Sequence, residues 1–168
     1  TKLTRSDRLN AGWAGVSADE NTHHTLEMPD VRAALEGICD ALKKQGHPGG
    51  KVDVLDFDAC LMATLEVAYE LKDTVDYLAS SQETEPGDGY TYNDFLKPVV
   101  AKPTMGGEEL AKTAVNAYSD HYANLKQGFT QSVVKSAAIP QFTALTNDWV
   151  KAVMAAGDKA IVKTAISG

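Results

Sequence analysis

Cys60 is the residue of this sequence best placed for covalent chemistry. It lies in the stretch VDVLDFDACLM, residues 52–62, where an apolar strand pattern ends and a helix pattern begins. In open α/β sheets, ligands and reactive groups gather where the carboxyl end of a strand meets the following helix. The first-turn N–H groups of that helix would stabilise a thiolate at Cys60 and lower its pKa. Cys60 is therefore either a nucleophile or one more small buried residue.

Two acids stand immediately before this cysteine. Asp56 and Asp58 alternate with Leu55 and Phe57, so both carboxylates point to the same side of an extended segment. Carboxylates raise the pKa of a neighbouring thiol, so they are poor activators of Cys60. They are suited instead to receive a positively charged group, such as the lysine or arginine side chain of a substrate. The alternative is a pair of solvated acids at the end of a strand.

The other cysteine, Cys39, has a different setting. Val31, Leu35, Ile38 and Leu42 recur around it at helical spacing, which predicts that Cys39 packs in the core. Two cysteines are too few for a disulfide framework or a four-thiolate zinc site.

The elements that must position Cys60 alternate between helix and strand. The pattern predicts a helix over 29–45, a strand over 52–57, a helix over 61–72 and a strand over 76–81. These elements are followed by an acidic loop over 82–92, a helix over 107–125 and a strand over 129–138. The rest, residues 139–166, has a helical pattern that is broken at Gly157. This order is typical of an α/β protein with a parallel sheet. The 168 residues suffice for a single domain over 1–168.

Composition narrows the class of partner. The formal net charge is −7 and there is no long run of lysine or arginine, so nucleic acid and anionic membrane surfaces are not expected partners. A basic ligand suits this charge. The sequence also contains no apolar stretch of eighteen or more residues and no signal peptide pattern at its start.

Three motifs in this region resemble the clostripain family of cysteine peptidases. FDACLM (57–62), EVAYEL (66–71) and ASSQETEPGDG (79–89) occur in that order at compatible spacing. The resemblance is clear over residues 55–94 and weaker over 8–42. It implies a caspase-like αβα sandwich with a mainly parallel sheet, whose first strands come from an upstream chain.

The resemblance also implies roles for individual residues. Cys60 would be the nucleophile of an endopeptidase that cleaves after arginine or lysine, and its backbone N–H would help to hold the oxyanion. Asp58 corresponds to the acid that accepts the basic side chain of the substrate, and Asp88 matches a second pocket acid of some members. Tyr90 and Tyr92, which follow the acidic loop, are candidates for a wall of that pocket. A secreted location is implied as well.

The general base of the family is a histidine that follows an apolar strand and precedes a glycine. None of the four histidines here has that setting: His23, His24, His47 and His121. Residues 8–10, Arg-Leu-Asn, resemble the region just after that motif, and residues 1–28 resemble the loop at which precursors are processed. The resemblance therefore predicts that this chain is the heavy chain of an autoprocessed enzyme, active with an upstream light chain that carries the histidine.

Two other functions stay open from the sequence. A non-catalytic scaffold would keep the pocket for basic side chains without a base. A calcium-binding module would gather Glu83, Glu85 and Asp88 as oxygen ligands, and calcium dependence occurs in some family members, although the spacing does not match the twelve-residue calcium loop. Beyond calcium, no cofactor is expected. Trp149 belongs to an apolar helical run, which predicts packing rather than substrate binding.

Overall fold

The structure, a computed structural model, describes residues 16–19, 21–157 and 159–167. Residues 8–10 of the expected processing region lie outside the described residues. The chain divides into two compact units between Ser136 and Ala137. The single domain over 1–168 stays a prediction.

The first unit contains a three-stranded sheet in the order β3-β4-β5 and a small hairpin. Strands β1 (Ser17–Ala18) and β2 (Thr25–Leu26) form the antiparallel hairpin, within a region that the sequence predicts as loop. Strands β3 (Val52–Asp56) and β4 (Val75–Ser80) pair in parallel, whereas β5 (Ser132–Lys135) runs antiparallel to β4. The parallel prediction therefore holds for β3 and β4, and the third strand runs in the opposite direction.

Helix α1 (Met28–Lys44) matches its prediction closely. Pro29 occupies its first turn, and Glu27 and Asp30 form a capping box at its start. Cys39 lies on the buried face and is 4% exposed, and its thiol donates a hydrogen bond to the carbonyl oxygen of Thr74 at 3.2 Å. The prediction that Cys39 packs in the core is confirmed.

Helix α2 (Leu65–Leu71) begins later than the periodicity predicts. The backbone N–H groups of Leu61 and Ala63 donate to the carbonyl oxygens of Glu83 and Ser81 at 3.1 and 2.9 Å, so they are engaged with another segment rather than with a helical turn. Thr64 then caps the helix, its hydroxyl accepting the N–H of Val67. Tertiary hydrogen bonding overrides the helical pattern over residues 61–64.

Helices α3 (Tyr92–Ala101) and α4 (Gly107–Asn124) complete the first unit. The sequence does not predict α3. Helix α4 packs against β3 and β4 and carries Tyr118 and Tyr122, whose ring centroids lie 4.6 Å apart. Tyr90 stacks on Tyr118 at 4.8 Å, and Tyr122 donates its hydroxyl hydrogen to the carbonyl oxygen of Gly89 at 2.6 Å. This aromatic cluster fixes the acidic loop to α4; in the structure that loop covers residues 81–91, between β4 and α3, rather than the predicted 82–92.

The second unit consists of α5 (Ile139–Ala156) and α6 (Lys159–Ser167). The predicted break at Gly157 is confirmed, because this glycine has φ +67° and ends α5 in the left-handed conformation. Trp149 is 66% exposed, so the prediction that it packs in a core is wrong: the apolar run lies on a face of α5 open to solvent in this structure. In the described part of the chain, no helix combines the length and apolarity needed to cross a membrane.

Candidate active site

Cys60 lies in the turn between β3 and α2, beyond the carboxyl end of the strand. It is half-buried, and its Sγ accepts a hydrogen bond from the backbone N–H of Glu85 at 3.2 Å. Helix α2 does not begin directly after Cys60 as predicted, since its cap is Thr64, four residues further along. The amide that faces the sulfur comes from the acidic loop.

The turn that carries Cys60 holds a strained backbone. Leu61 has φ +66°, in the left-handed region, which costs a residue other than glycine about 1–2 kcal/mol. Its N–H is fixed on Glu83, and this contact holds the conformation in place. Strained backbone next to a reactive group is common at functional sites because it directs the side chain. The strain at Leu61 therefore contributes to the direction in which Cys60 points.

Asp58 is exposed and lies at the surface of the same turn. Its Oδ2 accepts the hydroxyl hydrogen of Tyr92 at 2.8 Å. Its other oxygen packs against Gly89: a Cβ at that glycine would lie 2.8 Å from Oδ1, and Gly89 has φ +66°. Only glycine fits both the conformation and the space. Tyr92 and Gly89 together fix the position of the Asp58 carboxylate.

Asp56 is more enclosed than Asp58. Its Oδ1 accepts the hydroxyl hydrogen of Tyr90 at 2.7 Å. Burial raises the pKa of Asp56 to about 6, the Tyr90 hydrogen bond opposes this, and the negative charge of Asp58 adds to it. The two acids that the sequence places on one side therefore differ, since Asp58 faces solvent and Asp56 lies within a polar network.

Glu85 is a neighbour of Cys60 that the sequence does not predict. Its side chain is 5% exposed, and Gln131 donates to its Oε1 at 3.3 Å. Burial and, to a smaller extent, the negative charge of Asp58 together raise the pKa of Glu85 to about 7. The Glu-Pro-Gly sequence indicates a loop but not which of its acids turns inward, so the sequence does not predict that Glu85 is buried.

Asp88 is exposed and directly precedes Gly89 in the acidic loop. Burial raises the pKa of Tyr122, and the negative charges of Asp88 and Asp58 add to that rise. Both predicted pocket acids therefore act on one tyrosine hydroxyl. Asp88 therefore directly precedes the glycine that packs against the Asp58 carboxylate.

The histidines lie on several different elements. His47 precedes β3, and its Nε2 lies 3.8 Å from Asp53 near the start of that strand, whereas Cys60 follows the strand's other end. His47 therefore lies toward the end of β3 opposite to Cys60. His23 and His24 are exposed near the hairpin, and His121 lies on α4 against the ring of Tyr122.

A metal site receives no support from the described side chains. Within residues 16–19, 21–157 and 159–167, no group of three or more histidine, cysteine, aspartate or glutamate residues is arranged to hold an ion. Glu85, one of the three calcium candidates, directs its carboxyl group toward Gln131.

A sequence model of the clostripain family matches residues 7–167. The chain belongs to the clostripain family. Comparison with curated protein sequences finds no match.

Solved structures of cysteine proteases resemble this clostripain-family chain. A Bacteroides fragilis cysteine protease is 26% identical with a TM-score of 0.54, over 73% of this chain and 48% of that one. A secreted C11 cysteine protease from Bacteroides thetaiotaomicron, in complex with an irreversible peptide inhibitor, is 25% identical with a TM-score of 0.60, over 76% and 36%. A clostripain from the same species, in complex with a peptide inhibitor, is 19% identical with a TM-score of 0.58, over 79% and 52%.

These likenesses confirm the predicted α/β, caspase-like fold of the clostripain family. The chain spans between 36% and 52% of the length of the three solved structures.

Proposed function

We propose that this protein is a cysteine endopeptidase that cleaves after arginine or lysine, with Cys60 as its nucleophile. The observation that carries the proposal is the position of Cys60: a half-buried thiol beyond the end of β3, with a backbone N–H on its Sγ, in a chain of the clostripain family. The matched structures named above as cysteine proteases support the reaction class.

The reaction is acyl transfer in two stages. The Cys60 thiolate attacks the scissile carbonyl carbon, the carbon–nitrogen bond breaks, and the amine leaves with a proton from a general acid. Water then attacks the thioester, releasing the new carboxylate and restoring the thiol. We propose that a histidine on an upstream light chain serves as base and acid, because His47 lies toward the opposite end of β3.

Selection of a basic side chain follows from the acids around Cys60. Asp58 stands two residues before the nucleophile, and Tyr92 and Gly89 hold its carboxylate at the surface. An exposed, fixed carboxylate is suited to pair with a guanidinium or ammonium group. Asp88, which directly precedes Gly89, serves as the second acid of the pocket in this proposal.

We further propose that the enzyme is made as a precursor, processed upstream of the heavy chain, and acts outside the cell. The secreted C11 protease from Bacteroides thetaiotaomicron supports the location. Mass spectrometry of the protein from its natural source tests the processing: two chains are expected, and one continuous polypeptide through Thr1 would refute it.

The main test compares fluorogenic peptides that end in arginine, lysine or aspartate, cleaved by the natural full-length protein under reducing conditions. Cleavage after arginine or lysine alone, lost in Cys60→Ala and kept in Cys39→Ala, is the expected result. Cys39 is the matched control because its thiol is buried on α1. If the folded wild-type protein cleaves no peptide, it is a non-catalytic scaffold and the proposal is wrong.

A further inference from the structure

Tyr92 joins the acid proposed to select the substrate to an adjacent cavity. Its hydroxyl donates to Oδ2 of Asp58 at 2.8 Å, and the residue is 55% exposed. Tyr92 also lines a cavity of about 490 Å³, whose other lining residues come from the start of α3, from Tyr90 and from His121 on α4. A side chain that enters this cavity would therefore meet an aromatic ring and, at the hydroxyl end of that ring, a carboxylate.

We propose that the ring of Tyr92 selects arginine over lysine in this pocket: the planar guanidinium stacks on the open face of the ring while its edge donates hydrogen bonds to Asp58. This inference rests on the proposed function, which leaves the choice between the two basic side chains open.

The carboxylate of Asp58 does not make this choice by its charge, because a negative charge attracts an ammonium and a guanidinium group alike. The charged residues that line the cavity, Asp94 and Lys97, have opposite signs and act on both cations in the same way. The surface beside the carboxylate therefore decides which cation binds better.

The position of the Tyr92 ring suits a cation that is paired with Asp58. The hydroxyl hydrogen bond places one end of the phenol at the carboxylate, so a cation there lies within the roughly 6 Å over which a ring attracts it. The centroid of the buried Tyr90 ring lies 6.3 Å away at 41°, so Tyr90 supports one side of Tyr92. The hydrogen bond to Asp58 raises the pKa of the Tyr92 hydroxyl, which therefore stays a neutral donor at neutral pH.

The two cations differ in how they use such a surface. A tyrosine ring attracts both, and the Nζ of Lys72 lies 4.2 Å from the centroid of the Tyr69 ring on α2. A guanidinium is planar and weakly hydrated, so it can stack on the ring and still present N–H groups at its edge to the carboxylate. An ammonium is a compact, strongly hydrated charge, and pairing with Asp58 draws it to the hydroxyl end of the ring. The ring therefore favours arginine by degree.

The test is the ratio of kcat/KM for two fluorogenic peptides that differ only in ending in arginine or lysine, cleaved by the natural full-length protein. We expect a ratio of about ten in the wild type and about two in Tyr92→Leu, which lacks the ring. Tyr92→Phe keeps the ring without the hydroxyl, so its ratio should stay within about twofold of wild type although KM rises for both peptides. Tyr69→Leu is the matched control, since Tyr69 is 46% exposed in the last turn of α2, and it should keep the wild-type ratio.

An active Tyr92→Leu protein with the wild-type ratio, or a wild type that cleaves both peptides equally well, would overturn the inference while leaving the peptidase proposal intact. Loss of the preference in Tyr92→Phe would also overturn it, because the hydroxyl rather than the ring would then select arginine. Circular dichroism checks that each variant is folded.

A binding measurement on the wild type tests the ring without cleavage and without a variant. If the wild type cleaves nothing, the proposed function fails, and proton NMR of N-acetyl-L-argininamide and N-acetyl-L-lysinamide with the same protein still decides the inference. The δ-methylene protons of the bound arginine probe should shift upfield, as expected over a ring face, and by more than the ε-methylene protons of the lysine probe. Equal shifts of the two probes, or no binding of either, would refute stacking on Tyr92.

Discussion

The buried carboxyl group of Glu85 makes the stability of the protein depend on pH in a defined direction. Burial, together with the negative charge of Asp58, raises its pKa from 4.5 to about 7 in the folded protein. In the unfolded chain the group has its ordinary pKa. The folded state therefore holds a proton that the unfolded state has lost between about pH 4.5 and 7, and stability falls as the pH rises through this window.

The magnitude follows from the size of that difference. At about 1.4 kcal/mol for each pKa unit, the full effect is about 3 kcal/mol. Glu85→Gln keeps a neutral side chain at every pH, so its free energy of unfolding relative to wild type should rise by about 2–3 kcal/mol from pH 5 to pH 8. Most of the change is expected below pH 7 because the carboxyl group is ionised above it.

Urea unfolding followed by circular dichroism at pH 5, 6, 7 and 8, on the full-length protein, measures this difference. Glu83→Gln is the control, because it makes the same substitution at an exposed position of the same loop. A Glu85→Gln difference that stays constant within about 0.5 kcal/mol across the four pH values would refute the argument from burial.

Three further predictions follow from the contacts of the site. Gly89→Ala should lower the free energy of unfolding by about 1–2 kcal/mol in urea titrations and raise KM, because a Cβ there meets Asp58 in a left-handed backbone. Gly87→Ala is the control, because there is open space around the Cβ position at residue 87. Equal losses of unfolding free energy in the two variants would contradict the reasoning. Tyr92→Phe should raise the KM for arginine peptides about fivefold without changing kcat, since the Asp58 carboxylate loses a hydrogen-bond donor worth about 1 kcal/mol. Steady-state kinetics in which only kcat falls would contradict this prediction. Iodoacetamide should alkylate Cys60 in the native protein and Cys39 only after unfolding, because Cys39 is 4% exposed; peptide mapping that finds native modification at Cys39 would contradict the structure.

Local patterns predicted most of the elements near the site. Helix α1 and strands β3 and β4 are predictable because their apolar residues repeat at helical or strand spacing. Proline and glycine also mark the two ends of α1, and glycine precedes β3. The break at Gly157 followed from the same reasoning.

The start of α2 was not predictable in this way. Residues 61–64 carry the helical pattern, but the N–H groups of Leu61 and Ala63 donate hydrogen bonds to the acidic loop, some twenty residues away in the sequence. Helix α3 was missed because Pro98 stands inside it, a residue that usually argues against helix. In both cases the sequence signal is local, whereas the structure is decided by contacts between distant segments.

The candidate site was predictable in part. The motif around Cys60 and Asp58 indicated a nucleophile beside an acid, and the structure places both in one turn. Glu85 was named only among calcium candidates, because a sequence does not show which acid of a loop turns inward. That information comes from the packing of Tyr90 on Tyr118, which fixes the acidic loop to α4.

We propose that Cys60 attacks substrates whose basic side chain is held by Asp58. The most direct test is covalent labelling of the full-length protein with an irreversible peptide inhibitor ending in arginine, with the adduct located by tandem mass spectrometry. We predict an adduct on Cys60 that forms at least tenfold more slowly in Asp58→Asn, and no adduct with a matched inhibitor ending in aspartate. An adduct on another residue, or equal rates for the arginine and aspartate inhibitors, would contradict this account.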